Sequence, residues 1–248
     1  MADLQFVGMV FETFIILVAL IFLVLILMKF YEKKHQLTLY LFLIFLSYII
    51  AIVFSWLSKI FALYSGIDYV EYNTILPDPG TPLSWILLRI VDFRISFVFL
   101  SIGIYLSYIF KVKVFGKGYN KVLRIVITLY AIITAGFALF VYQRGYTLYD
   151  VFAFLFIFIF MALIYIPFFI ESFQSFKDTD NKVFKTAFLS LAIMAIFFIL
   201  VPLSFLIDRI LILAGGPGFS LFYFLAWIFV IFAILGAYFG YIRPKSEK

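Results

Sequence analysis

Seven stretches of about 20 almost wholly apolar residues, separated by short polar connections, leave this chain few ways to fold. They run approximately over 7–28, 38–63, 84–110, 122–142, 150–170, 186–207 and 219–241. A hydrocarbon core about 30 Å thick is crossed by about 20 helical residues at about 1.5 Å each. Inside it every backbone N–H and C=O must be satisfied within the protein, which favours helices. The expected fold is all-α: one transmembrane bundle of seven helices formed by residues 1–248, with no separate soluble domain. Composition agrees, with 67% hydrophobic and 13% charged residues and a mean hydropathy of +1.19. The lipid bilayer is the first partner this implies, and the plasma membrane is the expected location.

Orientation is read from Lys and Arg. One set of span ends carries Lys29, Lys33 and Lys34, then Lys111, Lys113, Lys117, Lys121 and Arg124, then Lys177, Lys182 and Lys185, and finally Arg243, Lys245 and Lys248. The opposite set carries Lys59, Arg144 and Arg209. The bias puts the N-terminus outside and the C-terminus in the cytoplasm. Residues 64–83, rich in Pro and Gly toward their end, are the longest connection and read as an outer cap. The start MADLQF has no basic segment of the kind that opens a signal peptide.

The third span is unlike the others because Arg89, Asp92 and Arg94 lie well inside it. Insertion scales charge roughly 2.5 to 3.5 kcal/mol for such a residue at a helix centre, so these three are not expected to face lipid. Read as one continuous helix from Ser84, the span places Arg89 about 8 Å in, Asp92 about 12 Å and Arg94 about 15 Å. Arg89 and Asp92 share a face and are expected to pair. Arg94 falls on nearly the opposite side and needs another partner. A cavity of net positive character, suited to a small polar or anionic ligand, follows.

Other outer-half residues extend the candidate ligand site to Glu12, Trp56, Lys59, Asp208 and Trp227, with Arg89, Asp92 and Arg94 at its centre. Pro167 and Pro202 are expected to kink spans five and six. Gly236 and Gly240 have the GxxxG spacing that lets helices approach closely, within the bundle or between copies. The turn GGPG at 215–218 lacks the Lys and Ser/Thr of a phosphate loop and reads as a tight connection.

Several chemistries find no support. There is no cysteine, so disulfides and thiolate metal sites are excluded. One histidine, His35, argues against a haem or multi-histidine centre. Phe219–Tyr241 has no lysine for a retinal Schiff base. The chain shows no zinc-binding helix motif, nucleophile elbow or carboxylate cluster. No cofactor and no nucleic acid is expected, and the enzymatic reading is the least supported. The leading expectation is a receptor- or sensor-like protein binding a small ligand in the outer half. The alternatives are an accessory subunit of a membrane complex, meeting other membrane subunits, and a small-solute transporter. The basic loops suit an anionic leaflet or a cytoplasmic partner.

Overall fold

The computed structural model describes residues 2–65, 81–116, 120–141 and 146–242. Helix is the regular structure throughout them: α1 Ala2–Lys33, α2 Gln36–Tyr64, α3 Pro82–Val91, α4 Arg94–Phe115, α5 Lys121–Gly136, α6 Thr147–Asp178, α7 Lys182–Leu213 and α8 Leu221–Ala237. A π turn extends α5 over Phe137–Val141, and another extends α8 over Tyr238–Ile242. Seven helices are long and apolar enough to cross a bilayer, which makes the chain an integral membrane protein; α3 is the short one. The expected cap at 64–83 lies largely outside the described residues.

The ends are set by local chemistry. Asn120 and Asn181 each accept the backbone N–H two residues on, at 2.9 Å, capping α5 and α7. Thr81 does the same for α3 from Ser84, ahead of Pro82. The α7–α8 turn is a Schellman motif: Gly216 N–H reaches Leu211 O, Gly215 N–H reaches Ile212 O, and Gly215 has φ +88°. The tight connection expected for GGPG is what forms. Both α6 and α7 run on through Pro167 and Pro202.

Six helices close a ring, with α1 on α2, α2 on α4, α4 on α6, α6 on α7, α7 on α8 and α8 back on α1. α5 lies outside it, against α4 and α6, and its apolar side chains face outward, Ile132 being 62% exposed. Between helices in lipid, close packing replaces the hydrophobic effect as the source of association. Here it is supplied by aromatic rings, among them Phe22 edge-on to Phe45 at 4.7 Å and Tyr165 stacked on Phe198 at 4.9 Å. Small residues bring helices close where rings do not fit. A Cβ at Gly240 would lie 2.8 Å from Leu191, and one at Gly103 would collide with the Tyr48 ring. The GxxxG pair, Gly236 in α8 and Gly240 in the π turn that extends it, is therefore packed against α7.

The third span departs from its sequence reading. It is two helices, α3 and α4, broken at Asp92–Phe93, where Phe93 takes a left-handed conformation with φ 64°. A bulky side chain at that φ is unusual.

Candidate functional site

The break in span three rearranges its charges. Once Phe93 interrupts the helical phase, the rotation of about 200° that would separate Asp92 from Arg94 no longer applies. Arg94 Nη2 lies 3.4 Å from Asp92 Oδ2. Arg89 is not paired with Asp92, contrary to expectation. Its Nε donates to Leu139 O and its Nη1 to Trp85 O, both at 3.0 Å, and its guanidinium lies 3.5 Å from the centre of the Trp85 ring. Arg89 thus fastens α3 to the π turn that ends α5.

A second charged cluster joins α1, α2 and α8. Glu12 is wholly buried. Its Oε1 accepts from Lys59 Nζ at 2.8 Å, Ser55 Oγ at 2.9 Å and Tyr223 OH at 2.9 Å. Its Oε2 has no hydrogen-bond partner. Lys59 Nζ also reaches Ser55 Oγ at 3.2 Å. Asp208, equally buried, accepts the N–H of Ser220 at 2.8 Å and so ties α7 to the start of α8.

Between these clusters lies a cavity of about 170 Å³, walled by all six ring helices. Lys59, Asp92, Asp150 and Arg209 line its charged mouth, at the end of the bundle poor in lysine. Its apolar walls include Phe93, Phe154, Phe205 and Trp227, and it ends at Tyr48, Met161, Phe198 and Ile234. Of the residues expected to bind ligand, Lys59, Asp92 and Trp227 line it. Glu12 and Arg94 stand behind it as ion-pair partners of Lys59 and Asp92. Trp56 is half-buried and donates to Thr13 Oγ1 at 2.8 Å, while Arg89 and Asp208 serve the helix junctions.

Acidic and basic side chains stand together around the cavity. Among the described residues, Glu12, Asp92, Asp150 and Asp208 form ion pairs there with Lys59, Arg94 and Arg209. Arg209 lies between two acids without hydrogen-bonding either: Asp208 Oδ2 is 3.8 Å from its Nε and Asp150 Oδ2 is 4.0 Å from its Nη1.

Sequence reasoning missed the floor. Tyr48, Ser107 and Tyr165 come from α2, α4 and α6, and their hydroxyls form a closed triangle: Tyr48 OH to Tyr165 OH at 2.9 Å, Ser107 Oγ to Tyr165 OH at 2.9 Å, and Tyr48 OH to Ser107 Oγ at 3.3 Å. The sequence signal was weak, because α2 and α4 each carry several other hydroxyl side chains, among them Ser47 and Ser55 in α2 and Ser101 and Tyr108 in α4. Beyond it, toward the lysine-rich end, Lys111 pairs with Glu171 at 3.1 Å, joining α4 to α6. Among the described residues no group of three His, Cys, Asp or Glu is placed to hold a metal ion. Compared with protein-family models, curated proteins and solved structures, the chain has no significant match.

Proposed function

We propose that the chain is a non-enzymatic receptor- or sensor-like membrane protein, N-terminus outside and C-terminus cytoplasmic in the plasma membrane, that binds a small polar ligand in this cavity. The observation that carries the reading is the cavity itself: a pocket within the bundle, apolar in its depth and charged at its mouth, the usual form of a small-molecule site. Orientation rests on the lysine bias, which makes the charged mouth external.

The walls offer a way to pass binding on. Pro202 removes one backbone hydrogen bond from α7, Phe93 marks the break between α3 and α4, and both line the cavity. Occupancy therefore bears on two places where the regular helical backbone is interrupted or short of a hydrogen bond. A shift there would travel along α4 and α7 to the lysine-rich end. Transport fits less well, because the Tyr48–Ser107–Tyr165 triangle and the Lys111–Glu171 pair stand between the cavity and that end.

One observation favours a second reading. The outward apolar face of α5 is broad enough for a neighbouring chain as well as for lipid, as in an accessory subunit. Native mass spectrometry of the gently extracted protein separates the two. The ligand-binding reading expects a lone chain carrying a small extra mass, absent from Val201→Trp, in which an indole fills the cavity. A stoichiometric set of other subunits, with no small mass, would overturn it.

A further inference from the structure

Resting on that reading, we infer that the ligand is a small apolar amino acid or a close zwitterionic analogue, bound with its two charges at the mouth and its side chain inside. Size is the first argument. A dry apolar cavity of about 150 Å³ takes up benzene, so about 170 Å³ admits one ring-sized or branched apolar group with a compact polar head. A lipid or a long polyene does not fit.

Charge is the second argument. Lys59 and Arg209 share the mouth with Asp92 and Asp150. An ion of one sign placed there meets like charge and opposite charge together, and the attraction does not offset the cost of stripping its water. A zwitterion answers both signs at once, its ammonium toward Asp92 and Asp150 and its carboxylate toward Arg209.

Unused donors are the third argument, independent of the first two. Arg209 Nε has no hydrogen-bond partner, although two carboxylates lie within 4.0 Å. Trp227, 4% exposed and on the cavity wall, holds its indole N–H beside the Tyr223 hydroxyl without a well-formed hydrogen bond. A guanidinium with donors to spare is suited to a bidentate carboxylate. Phe205 stands edge-on to Trp227 at 5.3 Å and lines the cavity with it, an aromatic wall for the apolar side chain.

The test titrates full-length protein in lipid nanodiscs by calorimetry with L-leucine and L-phenylalanine. Each is set against its decarboxylated amine (3-methylbutylamine, 2-phenylethylamine) and its deaminated acid (4-methylpentanoate, 3-phenylpropanoate). The expected result is that one of the amino acids binds about tenfold or more tightly than both of its analogues, the loss expected for one charge-assisted hydrogen bond. Arg209→Gln should remove the advantage over the amine, and Asp150→Asn the advantage over the acid. An amine or an acid binding as tightly as its amino acid would overturn the zwitterion and leave the cavity reading intact. Binding by none of the six overturns it too, and the small mass sought on the native protein then decides whether the cavity reading falls with it.

Discussion

Lys59→Met is expected to lower the unfolding free energy by about 3 to 5 kcal/mol, the cost of stranding a buried charge. Glu12 is wholly buried, and Lys59 is its ion-pair partner. Without the ammonium the carboxylate keeps the neutral donors Ser55 and Tyr223, while Oε2 still has none. Interhelical hydrogen bonds in bilayers average only about 0.6 kcal/mol because the unfolded state also finds partners, so the charge dominates the effect. Glu12→Gln combined with Lys59→Met removes both charges and should recover most of the loss. Denaturant titration of the purified protein in mixed micelles measures all of these. A cost for the single variant below about 1 kcal/mol, the range of solvent-exposed ion pairs, would contradict a Glu12–Lys59 pair shut away from water.

Gly236→Val is the second large effect, and it acts by shape alone. A Cβ at Gly236 would lie 2.9 Å from Met194 Cβ and 3.0 Å from Met194 Cα and N. The obstruction is mostly backbone, which no rotamer change relieves. Overpacking in a close-packed core costs about 1 to 3 kcal/mol, occasionally more, and a β-branched residue against a helix backbone belongs at the upper end. Moving α8 off α7 also opens the wall where Phe205 meets Trp227. Gly136→Ala makes the contrast: nothing lies within 4 Å of a Cβ there, and in helix α5 it should be neutral or stabilising by up to about 1 kcal/mol. Equal melting temperatures for Gly236→Val and the parent protein would contradict the α7–α8 packing.

The bundle was legible because membrane insertion reads composition over some 20 residues, and every span meets that demand without tertiary help. The GGPG turn and the Gly236–Gly240 seam were legible for local reasons, since a left-handed glycine and a missing Cβ act where they stand. The charges of span three were not. Their pairing hung on one backbone angle at Phe93, a residue whose type gives no warning of a left-handed break. Treating the span as one helix therefore paired Asp92 with Arg89 when the fold gives it Arg94. Glu12, Lys59 and Trp227 could be named from their depth in apolar spans. That Lys59 and Trp227 line the cavity while Glu12 stands behind depends on which face of each helix turns inward, which nearly uniform hydrophobicity does not encode. Tyr48, Ser107 and Tyr165 were overlooked for a similar reason: each is one hydroxyl among several on its helix, and only the fold brings these three together.

The central claim is a cavity within the bundle that opens to the outside. The chain has no cysteine of its own, so one introduced thiol reports on one place. Ser58 lines the cavity near its mouth, and Ser58→Cys is close to isosteric. Intact cells expressing this variant would be treated with a membrane-impermeant methanethiosulfonate cation, with Ala195→Cys, at a buried position off the cavity, as the control. The account predicts modification of Cys at position 58 from outside and none at 195. Modification of position 58 from the cytoplasmic side alone, or from neither side, would contradict it.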